Sequence, residues 1–139
     1  MTAYWLVKSE PDAFSWDQQV ANFVEPWTGV RSYQARNNLR AMAKRDRAFF
    51  YHSNIGREIV GVVEVARTAY PDPTAEDGDW VCVDMRAVAP FPRPVTLAEM
   101  KADPALAGFS LLRLSRLSVA PVEPAHWAHI CKLGGFKGK

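Results

Sequence analysis

The stretch from Arg47 to Ala66 constrains this chain more than any other. Arg47 to His52 reads Arg-Ala-Phe-Phe-Tyr-His, and Glu58 to Ala66 reads Glu-Ile-Val-Gly-Val-Val-Glu-Val-Ala. Both runs are rich in the aromatic and β-branched residues that suit a pleated, half-buried surface. Ser53-Asn54-Ile55-Gly56-Arg57 between them has the length and composition of a hairpin loop. The core of the fold is therefore a sheet. Gly61 interrupts the second run and marks a bulge or a close backbone approach.

Other elements fall around this hairpin. Tyr4 to Lys8 is an opening strand, stopped by Ser9-Glu10-Pro11-Asp12. Ser15 with Gln18 forms a capping box for a short helix toward Phe23, and Glu25-Pro26-Trp27-Thr28-Gly29 is loop. Tyr33 to about Ala43 is helical, with Leu39 and Met42 inward and Arg36, Arg40 and Lys44 forming a basic stripe at four-residue spacing. After a Pro71-Asp72-Pro73 loop, Trp80 to Val88 alternates, Asp84 and Arg86 on one face and Val81, Val83, Met85 and Ala87 on the other. Pro90, Pro92 and Pro94 end that strand. Thr96 with Glu99 caps a helix to about Lys101, Arg116 to Val119 is a last strand, and a helix around Trp127 to Leu133 stops at Gly134-Gly135.

Sequence-adjacent strands separated by short helices predict an α+β fold: a small curved sheet or partly closed barrel with helices on its rim. With 139 residues, one domain spanning 1–139 is expected. A hydrophobic fraction of 48% against 23% charged residues excludes a disordered chain. No apolar run is long enough to span a bilayer, and Met1 to Lys8 lacks a basic leader, so a protein that is neither exported nor membrane-bound is expected. Cys82 and Cys131 are too sparse for a disulfide framework, which points to a reducing cytoplasm. The net charge of +2 excludes coating nucleic acid by bulk electrostatics. Its distribution is uneven: Arg31, Arg36, Arg40, Lys44, Arg45 and Arg47 are opposed only by Asp46, whereas Asp72, Glu76, Asp77 and Asp79 form an acidic loop.

No complete catalytic template is present: no Gly-x-Ser-x-Gly elbow, phosphate-binding glycine loop, dinucleotide fingerprint or paired-cysteine zinc motif. His126 and His129 flank a helix whose buried side holds Trp127, Ile130 and Cys131, so no metal and no cofactor is assigned to them. His52 closes an aromatic strand with no carboxylate at a recognisable spacing to orient it, which favours hydrogen bonding over proton transfer. Three clusters at strand ends or loops instead suit binding: Lys8-Ser9-Glu10, Trp27 with the run from Gly29 through Arg31, Ser32, Tyr33 and Arg36 to Asn37, and Tyr51-His52-Ser53-Asn54. They supply flat faces and directional donors, the two things a nucleobase requires. Trp5, Trp80 and Trp127 lie in periodic elements and are read as core; Trp27, on a loop, is open to either role.

Trp5-Leu6-Val7-Lys8-Ser9-Glu10-Pro11, the run from Gly29 to Asn37 and Phe49-Phe50-Tyr51-His52-Ser53-Asn54 resemble the signatures of the EVE domain family. Tyr70-Pro71-Asp72-Pro73-Thr74 and Arg116-Leu117-Ser118-Val119 match as well, so the resemblance covers essentially the whole chain. It implies a PUA-like fold, a curved mixed sheet or pseudo-barrel flanked by helices, related to YTH domains that read methylated adenine in RNA. It also implies a partner: DNA or RNA with a modified base flipped into an aromatic-lined pocket. On that resemblance Trp27 stacks on the base, helped by Tyr33 or Tyr51, and Ser53 and Asn54 read polar edges, beside the hydrogen bond that the residue reading gives His52 in the pocket. Lys8 and Ser9 line the pocket mouth, and Arg36 with Arg31 or Arg116 meets phosphates. Ser32 departs from the family, where asparagine is usual, and Ala43-Lys44-Arg45-Asp46 replaces a stretch that usually ends in glycine and aspartate. Two other function classes remain beside a base reader: an enzyme on a nucleotide or modified base using His52, and a small-molecule or protein-interaction module using the same concavity.

Overall fold

The computed structural model describes residues 3–137. Its centre is a six-stranded mixed sheet in the order β2-β5-β4-β3-β1-β6. The strands are β1 (Tyr4–Ser9), β2 (Val24–Pro26), β3 (Arg47–His52), β4 (Glu58–Pro71), β5 (Val81–Thr96) and β6 (Val119–Val122). Helices α1 (Trp16–Asn22), α2 (Tyr33–Ala41), α3 (Leu97–Ala102), α4 (Ser110–Arg113) and α5 (Pro124–Gly134) and one 3-10 turn (Pro104–Leu106) surround it. The α+β architecture is the expected one.

The hairpin forms as the sequence predicts, with β3 and β4 antiparallel from Arg47↔Glu64 to His52↔Glu58. Phe49, Phe50 and Tyr51 are all buried because the sheet is covered on both faces. Phe50 belongs with Trp5, Val7, Trp16, Trp27, Leu39, Val63 and Met85 in one cluster. Phe49 and Tyr51 belong with Leu6, Ile59, Val62, Met100, Trp127 and Ile130 in the other. Helices α1 and α2 thus close one face, and α3, α4 and α5 the other. Gly61 makes the close approach its position implies: a Cβ there would stand 2.6 Å from the Trp16 indole. The β3/β4 register shifts nearby, between Phe50 and Tyr51.

Both expected capping boxes are present. Ser15 accepts from the Gln18 amide while the Gln18 side chain accepts from the Ser15 amide, and Thr96 and Glu99 do the same. Each pair satisfies two donors that a helix start leaves unpaired. Asp46, buried in the turn after α2, accepts from the Trp5 indole at 3.1 Å and from the amide of Ala43 at 2.9 Å.

Several boundaries differ from the sequence reading. The alternation from Val81 is correct, with Val83 and Met85 buried, but Pro90, Pro92 and Pro94 do not end β5, which runs to Thr96. Beside β5, strand β2 pairs only with Asp84 to Arg86, so the later part of β5 is an edge. The ladder to β4 also lapses between Pro90 and Val95, so Pro92 and Pro94 sit where no registered pair is lost. Strand β2 itself occupies part of the expected 25–29 loop, and β4 extends to Pro71. The last strand is Val119–Val122 and not 116–119, because Val119 to Val122 pair with Val7 to Tyr4. Helix α5 starts at Pro124, with proline in the first turn where its missing N–H costs nothing. Trp80 precedes β5, is half-buried, and is not part of the core. No helix among the described residues is long and apolar enough to cross a membrane.

Candidate functional site

Strands β1 and β3 run parallel, pairing Lys8 with Tyr51 and Ser9 with His52. Their C-terminal ends therefore leave the sheet on the same side, which brings together two clusters separated by more than forty positions in sequence. Strand β6 runs antiparallel to β1, and the segment before it closes over Lys8: the Lys8 amide donates to the Ser118 carbonyl at 3.0 Å, and Lys8 Nζ to the Ser115 carbonyl at 2.8 Å. Two cavities open on either side of this lysine.

The first cavity is about 490 Å³, lined by Lys8 and Ser9 of β1, by Phe14, by Glu25 through Arg31, and by Ser118. Its apolar wall is the Trp27 indole, packed edge-on against Phe50 (ring centroids 5.5 Å apart) and Phe14 (5.9 Å). Trp27 is only 8% exposed, so the loop position that left its role open conceals a residue that is both core and cavity wall. Its backbone is fixed as well, the Trp27 amide donating to the Val83 carbonyl at 2.7 Å. Ser9 is anchored by its Oγ donating to the Phe14 carbonyl at 2.6 Å. Burial lowers the pKa of Lys8, a sign that its ammonium lacks full hydration.

Arg31 is at this mouth but is held by Asp72, whose carboxylate is fully enclosed. Asp72 also accepts from the Gly29 amide (2.8 Å), the Thr74 amide (2.7 Å) and Thr74 Oγ1 (2.6 Å). Burial alone would raise this carboxyl; the bonds from Thr74, Gly29 and Arg31 outweigh it and hold the pKa at about 2. The acidic loop therefore pins the strand of chain that forms the cavity floor.

The remaining expected site residues lie elsewhere. Tyr51, Ser53 and Asn54 line the second cavity, with Lys8 as the shared wall. Tyr33 is 68% exposed and outside both, stacked on Trp80 at 5.2 Å. Arg36 lies over the Tyr33 ring and is paired with Asp79 at 2.7 Å; Arg40 reaches the same carboxylate at 2.9 Å. The basic stripe is in this way largely matched by the acidic loop. Arg116 is exposed beside Ser32 and Gln34 in a third, shallower depression. His52 lines neither main cavity: its Nε2 accepts from the Trp16 amide at 3.0 Å and so caps α1. A hydrogen bond within a pocket was expected of His52; its Nε2 serves the protein's own backbone instead. His129 pairs with Asp103 at 2.6 Å and His126 faces Glu123, while burial pushes the Cys131 thiol up to about 12.

Glu25 and Ser118 are lining residues that the sequence reading missed. Glu25 carried a signal: it stands two positions before Trp27, the spacing that puts extended residues on one side. Ser118 carried a signal only through the family match of Arg116 to Val119, since it is the pairing of β1 with β6 that brings it to Lys8.

Comparison with known proteins places this geometry. A crystal structure of a protein from Agrobacterium tumefaciens superposes with a TM-score of 0.96 at 50% identity, covering 99% of this chain and 97% of that one. Human THYN1, crystallised in complex with DNA containing 5-methylcytosine, superposes with a TM-score of 0.89 at 30% identity over 99% of each chain. A YTH domain from Zygosaccharomyces rouxii shares the fold, with a TM-score of 0.61 at 16% identity over 96% of this chain and 86% of that one. The EVE domain model matches residues 3–133; this chain belongs to the EVE domain family.

Proposed function

We propose that this protein binds a modified base of a nucleic-acid strand, with 5-methylcytosine in DNA the leading ligand, and that the base enters the cavity between Lys8 and Trp27. The observation that carries the reading is the human relative in complex with 5-methylcytosine DNA, alike over 99% of each chain. The chemistry of the cavity supports it. The Trp27 and Phe14 rings offer an apolar surface for the base face and its methyl group. The Glu25 carboxylate, an acceptor only, suits the exocyclic amine of cytosine. Lys8 and Ser9 complete a polar rim. A base must leave its stack to reach this site, at a cost of a few kcal/mol that stacking and edge contacts offset. His52, the residue an enzyme would need as acid or base, has its Nε2 committed to the Trp16 amide.

Calorimetric titration of wild type, Glu25→Gln and Trp27→Phe tests this, using short strands that carry one 5-methylcytosine and their unmodified twins. The modified strand should bind wild type at least tenfold better, a gap of about 1.4 kcal/mol, and both variants should narrow the gap. Equal binding of modified and plain strands by the wild type sinks the reading. A ligand bound equally well at low and high salt would instead favour a small-molecule site, because phosphate contacts make affinity fall with salt.

A further inference from the structure

The cavity on the other side of Lys8 is about 380 Å³ and brings Lys8, Arg57 and Lys101 together with Tyr51, Ser53 and Asn54. We infer that it seats a backbone phosphate adjacent to the nucleotide whose base occupies the first cavity, an assignment that rests on the base-binding reading above.

Charge is the first argument. Arg31, Arg36, Arg40, Arg47, Arg86 and Arg93 each pair with a carboxylate, whereas Lys8, Arg57 and Lys101 enter no ion pair among the described residues. No acidic side chain lines the cavity; Glu10, at its margin, accepts from Asn54 Nδ2 at 3.2 Å. Three unmatched cations around one concavity are a site for an anion.

Geometry is the second. Lys8 Nζ donates once, to Ser115, leaving two of an ammonium's three donors free. Arg57 is held by Nε donating to the Asn54 carbonyl at 3.3 Å, which leaves the far end of its guanidinium for a ligand. Hydroxyls of Tyr51 and Ser53 add neutral donors. A phosphate has the oxygens to use such a set. Because Lys8 walls both cavities, a base on one side of it puts the adjoining sugar-phosphate within reach of the other.

The test is a cycle of two proteins and two kinds of strand. Wild type and the Arg57→Gln/Lys101→Gln double variant are titrated with strands in which one linkage beside the 5-methylcytosine is a natural phosphate or a neutral methylphosphonate, on the 5′ side and then the 3′ side. Neutralising the correct linkage should weaken wild-type binding roughly tenfold. The double variant should be indifferent to that change, bind modified and plain strands more weakly by the same factor, and lose about 0.7 per removed charge from its slope of log affinity against log salt. Pyrophosphate added to the wild type should move the amide resonances of Ser53, Asn54, Arg57 and Lys101. A double variant with an unchanged salt slope, still as sensitive as wild type to both neutral linkages, overturns the assignment. Failure of base reading would look different: modified and plain strands would bind alike while the phosphate cycle still showed coupling.

Discussion

The backbone amide of Trp16 donates to Nε2 of His52 across 3.0 Å, tying the start of α1 to the end of β3. The imidazole must be neutral at Nε2 to accept, and burial lowers its pKa further, against the smaller opposing effects of Glu58 and Asp17. A histidine with a lowered folded pKa binds its proton less well than in the unfolded chain. Its contribution is therefore complete above the ordinary value of 6.5 and is lost as pH falls below that. Urea unfolding at pH 7.5, 6.5 and 5.5 should show stability declining over this range, and His52→Gln should flatten the decline.

Gly61 lies under Trp16 with no room for a methyl group. Gly61→Ala should destabilise the protein by about 1–3 kcal/mol through overpacking. In a Trp16→Phe background, which removes much of the crowding ring, the same substitution should cost clearly less. Denaturation midpoints of the four proteins measure the coupling, and strict additivity would show that the clash is relieved elsewhere.

Asp72 gathers donors from Gly29, Arg31 and Thr74 in an enclosed position. Asp72→Asn should cost about 2–3 kcal/mol, since it loses charge-assisted bonds and leaves Arg31 unmatched. Its folded pKa of about 2 is below the usual 3.8. The stabilisation from ionised Asp72 is thus present above 3.8 and lost as pH falls from there toward 2. Acid titration of wild type and Asp72→Asn, followed by circular dichroism, should show that the variant has lost this part of the acid transition.

Arg36 points into the acidic loop and not into a cavity. Arg36→Gln should leave oligonucleotide affinity within about twofold and the salt slope unchanged, because a neutralised arginine releases few counterions. A steep fall in affinity would show that Asp79 gives up Arg36 when a strand arrives.

Local chemistry was the legible part of this fold. Ser15 with Gln18 and Thr96 with Glu99 carry their own instructions within four residues, and both boxes form. Apolar runs at Arg47 to His52 and Glu58 to Ala66 announced their strands for the same reason, although the second strand runs on to Pro71. What escaped depended on distant chain. The alternate prolines of β5 are tolerated because β2 stops pairing at Arg86 and the ladder to β4 lapses between Pro90 and Val95. Trp27, open to either role, is buried by Phe14 and Phe50, while Trp80, read as core, ends half-buried under Tyr33 and two arginines. Arg36 and Arg40 looked free until a carboxylate some forty positions away closed on them. The Lys8 and Tyr51 clusters do lie side by side, at the ends of parallel strands, yet one lysine divides them between two cavities.

The place of β1 inside the sheet, between β3 and β6, has a consequence for how the protein comes into being. Val7 pairs with Val119, which lies far along the chain from it. Closing so long a loop is slow relative to making the β3/β4 hairpin. The hairpin and both capped helices can thus form before the Ser115–Ser118 strap closes over Lys8, so the two cavities that share this lysine take shape late, with the long-range pairing of β1.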